Sequence, residues 1–567
     1  MNIDAFLFLQ RSDLVHYRDA GMNLGDIPHI FIDPGMVDEA VKLGLNPAHF
    51  SYRPLPVDPH FQTRVMTEAT ARATLLDQAL TKEREELFGP GVFQGWDHGP
   101  FRQFFTRALV AKYQGAICDR HLAEARIGLM RPSKPQLGYF DSFLATDLFM
   151  GDAERWRVVE HYDKVLDWAP DHASFVFDFG LIAQMASDGM AQAVTHIPTS
   201  YQNGRRYIAD IERGFAHNID LPSALWDVPV RRQAPMLKRI DSLRRDQIRD
   251  RAFMYRERAS RILAAHLGDL LITHVGLQKQ VDMLAERCFM QAINYDGLMD
   301  ALRGTQPHFI LTDHDTGHNG PLYAVAAKLD APITVLPHSS HPVFAVPHAV
   351  KVRAIEQDGF QTPVRSVWGE RVQMQPVRFG HKVAPAARSQ VTTVCLLFNT
   401  VLSQGISYID FAGMTRFYHA LSALCHAHGV RLIPRLKPSG APPLMSAAAL
   451  ELPADVLQDL LSVPLSEIAQ ASDLCISYGE PTSAGIDFLS LGSYLIHTTN
   501  QYWPSEFWAT PAYIGDGTVP SYNDEQALAV VKALLTDSAH FAQCADTQRQ
   551  RFTSHLTATD TPIFAPR

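Results

Sequence analysis

Long apolar runs are missing from this chain. Near its start the longest, Ala5 to Leu9, is too short to span a bilayer or to form the apolar core of a secretory leader, so a cytoplasmic protein is expected. Cysteine is sparse: Cys118, Cys288, Cys395, Cys425, Cys475 and Cys544 are scattered without CxxC spacing. That excludes a disulfide framework and a cysteine zinc site as readings, and leaves reduced, mostly buried thiols. No acidic or basic tail is present, and a net charge of −9 argues against nucleic-acid binding carried by global charge. Internal repeats, low-complexity runs and a specific glycine fingerprint for phosphate are also lacking. What remains is an ordinary globular composition, 46% hydrophobic and 20% charged, in a 567-residue chain too long for one core. Two or three domains are expected.

The most informative stretch runs from Asp473 to Thr499. An apolar strand (Leu474 to Ile476) leads to a turn of small residues, then to a short helix opening near Thr482-Ser483, then to a second strand. Backbone N–H groups in such a turn, with the helix dipole behind them, suit a phosphate. The plain alternative is an ordinary α/β crossover.

Along the chain, both ends alternate α and β and the middle reads as helical. Ile3 to Leu9 and Ile27 to Ile32 look like strands, and the segment from Phe101 carries apolar side chains at helical spacing. We assign 1–150 to an N-terminal α/β segment and 151–305 to a mainly helical insertion or connecting layer. Residues 306–356 continue the first α/β domain, 357–390 read as a linker with scattered Pro and Gly, and 391–567 form a C-terminal α/β domain. Arg244, Arg245, Arg249, Arg251, Arg256 and Arg258 make an arginine-rich helical face, read as a solvated surface paired with nearby acids. The alternative use of that face is to hold an anionic acceptor or a membrane headgroup. Trp96-Asp-His-Gly99 reads as a buried tryptophan beside a turn, or as part of an acceptor pocket.

Several strands end in polar residues, which places those residues at the carboxyl edge of a parallel sheet, where open α/β sheets bind ligands. They are Asp313 and Asp315 after one strand, His338 and His341 after the next, and Arg435, Lys437 and Ser439 at the end of a third. His338, His341 and His348 have a helical spacing, but Pro337, Pro342 and Pro347 break any helix there, so they read as loop histidines facing a cleft.

This order of elements resembles the GT-B glycosyltransferases: two Rossmann-like domains facing a cleft, with a helical insertion here. The residues that carry the resemblance are Asp313 to Asp315, Pro337 to His341, Arg435 to Ser439 and Ser477 to Asp487. The resemblance implies a C-terminal domain that holds the nucleotide of a sugar donor and an N-terminal domain that holds the acceptor. The pairing of Lys437-Pro438 with Thr482-Ser483 resembles bacterial enzymes that use CMP-activated acidic sugars of the Kdo or sialic-acid type. Lys437 stands where that branch has histidine, so a UDP-sugar donor stays open. Implied partners are the nucleotide-sugar donor and a bacterial surface glycan, lipid-linked glycan or protein acceptor, with peripheral contact at the inner membrane surface and no nucleic acid. No further cofactor is required.

Breaking a sugar–phosphate bond puts negative charge on the departing nucleotide, so cations and backbone donors aimed at it lower the barrier. Arg435, Lys437, Ser439, Tyr478, Thr482 and Ser483 are the candidates, with Glu480 preferred over Asp487 for the ribose hydroxyls. The acceptor hydroxyl must lose a proton, and Asp313, Asp315, His338 and His341 are the candidate bases; a covalent route would make one of the aspartates the nucleophile. Asp313-His-Asp315 also admits a metal reading of the GT-A kind, with His318 as an added ligand. An epimerase or polyol-phosphate transferase on the same fold, and a noncatalytic nucleotide-sugar sensor, complete the alternatives.

Overall fold

The structure, a computed structural model, describes residues 3–9, 11–19, 27–56, 58, 60–90, 93, 95–132, 142–151, 154–161, 193–196, 218–220, 242–270, 274–302, 304, 308–311, 320–335, 352–357, 372–377, 387–398, 411–437, 442–479, 484–498 and 517–555. These residues build three wholly parallel sheets.

The first sheet contains β1 (Ala5–Leu7), β2 (His29–Phe31), β3 (Phe50–Tyr52), β4 (Ile127–Pro132) and β5 (Trp156–His161), in the order β3-β2-β1-β4-β5. The second contains β6 (Ala193–His196), β7 (Asn218–Asp220), β8 (Phe309–Leu311), β9 (Ile333–Val335), β10 (Val352–Gln357) and β11 (Val372–Val377), in the order β11-β10-β9-β8-β6-β7. The third contains β12 (Thr393–Phe398), β13 (Arg431–Leu436), β14 (Leu474–Tyr478), β15 (Tyr494–Thr498) and β16 (Ser521–Tyr522), in the order β13-β12-β14-β15-β16. The third sheet shows why these segments are strands: β14 and β15 are buried at every position and β12 at all but its first. Apolar runs without alternation suit a parallel sheet covered by helices on both faces.

The α/β class with parallel sheets follows the sequence reading, but the sheets number three where two were expected. Strands β5, β6 and β7 fall within 151–305, read as helical, and β11 falls within 357–390, read as a linker. The reason is length and composition. Ala193–His196 and Asn218–Asp220 offer four and three residues, too few to show a period and poor in large apolar side chains.

The helical material has two sources. Helices Phe61–Phe88 and His98–His121 lie between β3 and β4, and helices Ser242–Leu267 and His274–Ala301 lie between β7 and β8. Both pairs pack into one apolar cluster that includes Phe61, Leu80, Phe105, Tyr255, Leu263 and Phe289. Four arginines of the Ser242–Leu267 helix, Arg244, Arg251, Arg256 and Arg258, are paired chiefly with acids of neighbouring helices, and not with the acids of their own helix that the sequence suggested, apart from Arg256 with Glu257 at 3.5 Å. Arg244 meets Asp300 at 3.0 Å, Arg251 meets Asp296 at 3.0 Å, Arg256 meets Glu286 at 3.0 Å, and Arg258 meets Glu83 at 2.9 Å and Glu86 at 2.7 Å.

Inside this helical layer lies a buried ionic cluster. Arg84 Nη1 donates to Asp97 Oδ2 at 2.6 Å and Nη2 to Asp77 Oδ1 at 3.2 Å, while Arg287 Nη1 donates to Asp97 Oδ1 at 2.9 Å. Asp77 also accepts the backbone N–H of Gly95 at 2.7 Å and of Asp97 at 2.9 Å, which fixes the turn before the His98–His121 helix. Trp96 is fully buried and its Nε1 donates to Gln291 Oε1 at 2.8 Å. The Trp96-Asp-His-Gly99 element is therefore a core tryptophan beside a turn and not the wall of an open pocket.

The first and third sheets are tied directly. Asp38, on the helix Pro34–Lys42, accepts the N–H of Leu444 at 2.6 Å and of Met445 at 3.0 Å. These are orphan donors at the start of the helix Pro443–Ala449, so a carboxylate distant in sequence caps it. Tyr52 packs edge-on against Phe411 at 6.0 Å between ring centroids. Among the described residues, no helix is long and apolar enough to cross a membrane.

Candidate functional site

Each sheet, as described, reverses its strand order once, and in open α/β sheets such reversals are where ligands bind, outside the carboxyl ends of the strands. The reversals lie between β1 and β4, between β6 and β8, and between β12 and β14. The last two sheets follow the order in which the first strand sits between the second and the third, and the first sheet follows the order of dinucleotide-binding folds.

The third sheet is described closely enough to build its edge residue by residue. At the amino end, Asp473 Oδ2 accepts the N–H groups of Thr392 at 2.8 Å and Thr393 at 3.0 Å and the hydroxyl of Thr392 at 2.7 Å. The first residue of the small-residue motif thus pins β14 to β12, far from the carboxyl edge. At that edge β14 ends in Tyr478, whose ring packs against Phe417 at 5.1 Å and Phe398 at 5.9 Å in the core. Its hydroxyl donates to Asp524 Oδ2 at 3.4 Å. Tyr478 therefore supports the edge from beneath and does not offer its ring to a ligand.

Gly479 follows at φ +86°, a conformation L side chains rarely adopt. Both its polar backbone atoms are held by the next strand. Its N–H donates to Thr498 O at 2.9 Å, and its carbonyl is 2.7 Å from His497 Nε2. A carbonyl only accepts, so Nε2 carries the ring proton. Burial pushes the pKa of His497 below the usual imidazole value, keeping the ring neutral, so Nδ1 accepts from the Ser521 hydroxyl 2.8 Å away. His497 was not among the residues singled out from sequence. The available signal was a polar ring inside the apolar strand Tyr494–Thr498, which must find partners once buried.

Of the two cations proposed on β13, Arg435 is buried, and its Nη1 donates to the carbonyls of Leu460 at 2.7 Å and Leu461 at 3.0 Å. Those carbonyls close the helix Ala454–Ser462, so this guanidinium serves as a helix C-cap. Lys437, two residues on, is exposed just past the carboxyl end of β13. Asp487 is half-buried within the helix Ala484–Ser490. Ser439, Glu480, Thr482 and Ser483 lie outside the described residues.

In the second sheet, β8 ends at Leu311 beside the reversal, and β9, its parallel neighbour, ends at Val335. Asp313 and Asp315 follow β8 in sequence, His338 and His341 follow β9, and all four lie outside the described residues, as do His318 and His348. At the opposite edge, His308 Nε2 is 2.8 Å from Thr334 Oγ1, which also accepts from Arg353 Nη2 at 3.0 Å. Burial, then the Arg353 charge, pushes His308 down to about 4, so it accepts the threonine proton as a neutral ring. Among the described residues, no group of three or more His, Cys, Asp or Glu is placed to hold a metal ion. No protein-family model matches the chain, and no curated protein matches it.

Proposed function

We propose that this protein is a glycosyltransferase that moves a sugar from a nucleotide-activated donor to a glycan or protein acceptor. The donor is held at the carboxyl edge of the third sheet and the reacting hydroxyl is prepared at the edge of the second. The observation that carries the reading is the strand reversal between β12 and β14, with the exposed Lys437 one strand away. Crevices at such reversals are where open α/β sheets take nucleotides.

The division of labour follows from charge. Cleavage of the sugar–phosphate bond leaves negative charge on the nucleotide, and Lys437 is an exposed cation at this edge. Arg435 supports it indirectly by fixing the helix behind β13. Ser439, Thr482, Ser483 and Glu480 are proposed to complete the donor site, and Asp313, Asp315, His338 and His341 to supply the base or nucleophile. A CMP-sugar of the Kdo or sialic type is the favoured donor and a UDP-sugar the alternative.

A thermal-shift screen with CMP, UDP, GDP and dTDP tests this directly. A ligand at a hundred times its Kd adds about 2.7 kcal/mol to the stability of the native state, well within reach of the assay. One nucleotide is expected to raise the melting temperature, and Lys437→Ala is expected to remove that shift. No response to any of the four would overturn the reading. Separate Asp313→Asn and Asp315→Asn variants, assayed for turnover, test the acceptor side, and full activity in both would remove the aspartates from it.

A further inference from the structure

We infer that His497 is a positioning residue for nucleotide binding: by clamping Gly479 to β15, it sets the geometry with which the chain leaves β14 at the ligand edge. This rests on the nucleotide reading given above.

The clamp is built from three strands. Gly479 lies at the end of β14, His497 and Thr498 on β15, and Ser521 on β16. The glycine N–H goes to Thr498 O at 2.9 Å, the glycine carbonyl to His497 Nε2 at 2.7 Å, and the ring is oriented by Ser521 Oγ at 2.8 Å. Closing a β-ladder requires no side chain, because backbone atoms pair with backbone atoms. Here an imidazole donates to the carbonyl of the residue that follows the last paired position of β14. Among the described residues no atom lies within 4 Å of where a Cβ on Gly479 would sit, and the backbone angle of +86° by itself calls for glycine. A left-handed glycine whose N–H and C=O are both tied down has little freedom left. Such fixed backbone at the carboxyl edge of the sheet lowers the ordering cost of binding there.

A histidine kept only for stability would move the melting temperature when its donor is misplaced and leave the affinity of the folded protein unchanged. A positioning histidine discriminates between isosteres by where their donor falls. Glutamine places its amide nitrogen near Nε2 and keeps the bond to the Gly479 carbonyl, whereas asparagine reaches only as far as Nδ1 and leaves that carbonyl without its donor.

The test uses the full chain and titrates CMP, UDP, GDP and dTDP onto wild type, His497→Gln, His497→Asn and Ser521→Ala, with melting temperatures measured alongside. Loss of one hydrogen bond's ordering is expected to loosen binding by about threefold to tenfold in His497→Asn. His497→Gln should bind nearly as wild type, although both variants bury an amide at the same place. If neither His497 variant folds, Ser521→Ala decides, since Ser521 lies exposed on the short strand β16 and orients the ring without filling the core. Weakened binding there supports the inference and unchanged binding overturns it. Equal affinities of His497→Gln and His497→Asn for a nucleotide that wild type binds would overturn the positioning role and leave the nucleotide reading standing. Failure of wild type to bind any of the four overturns the nucleotide reading itself, and this inference with it.

Discussion

Replacing Arg84 by methionine removes one of two cations from a cluster sealed inside the helical layer. The Arg84 side chain is 0% exposed, Asp97 0%, and Asp77 and Arg287 4% each, so water offers no substitute partner. Two guanidiniums face two carboxylates, and the cluster is neutral as it stands. Without Arg84, Asp97 keeps Arg287 at 2.9 Å, while Asp77 keeps only the backbone N–H groups of Gly95 and Asp97. The uncompensated charge is therefore that of Asp77. Breaking a buried pair in this way costs about 3–5 kcal/mol, against a total stability of about 5–15 kcal/mol for a folded domain.

The pH dependence has a definite sign. Burial already pushes the Asp77 carboxyl up, with Arg84 pulling it back down, and removing Arg84 takes the opposing effect away. A carboxyl whose folded pKa lies above its unfolded value costs stability above the folded pKa, and the cost recedes as pH falls through it. The gap between Arg84→Met and wild type should then narrow as pH falls through the raised Asp77 pKa. Adding Asp77→Asn restores neutrality and leaves one backbone donor contested, a penalty of about 1–3 kcal/mol. The double variant should accordingly be more stable than Arg84→Met alone. Urea unfolding followed by tryptophan fluorescence measures all three. A cost below about 1 kcal/mol for Arg84→Met, or a double variant less stable than the single, would refute the reasoning.

Two further predictions concern how elements meet. A Cβ on Gly115 would lie 1.8 Å from the carbonyl oxygen of Phe149, so Gly115→Ala forces the helices His98–His121 and Ser142–Met150 apart. Alanine gains about 1 kcal/mol in helix propensity, but the clash is with backbone, and a net loss of at least about 2 kcal/mol is expected in urea. A more stable alanine variant would show that the helices are not in contact there. Asp38→Ala deprives the helix Pro443–Ala449 of its cap. Because burial pushes the Asp38 carboxyl up more than its two N–H bonds pull it down, the net cost is set at about 1 kcal/mol. Limited proteolysis and the urea midpoint are the readouts, and an unchanged midpoint would mean that water replaces the carboxylate without loss.

Much of the architecture is legible in the residues because long buried strands leave a mark. Leu474 to Ile476 is a continuous apolar run, and the strand it predicts is present and continues two residues further, to Tyr478. Helices of the length of Phe61–Phe88 have room to show a period, whereas three-residue strands such as Asn218–Asp220 do not. The second sheet therefore extends into segments read as helix and linker. Side-chain roles at the edge were harder to read. Arg435 and Lys437 look equivalent in sequence, two cations at the end of one strand. Alternation along a strand would place both on one face. What separates them is that Arg435 lies within β13 beside the end of the helix Ala454–Ser462 and bonds the Leu460 and Leu461 carbonyls, whereas Lys437 follows Leu436, the last paired residue of the strand, and is exposed.

The sequence by itself determined the α/β class, the lack of any long apolar run and the general place of the polar strand ends, because these depend on composition and local periodicity. Only the tertiary structure decided that there are three sheets, where each reverses its order, and which groups meet across long separations. Asp38 with Leu444, Arg84 with Asp97 and Arg287, and His497 with Gly479 and Ser521 are partnerships set by packing. No local rule encodes them, since a buried polar group specifies only that it needs a partner, and the fold determines which one it finds.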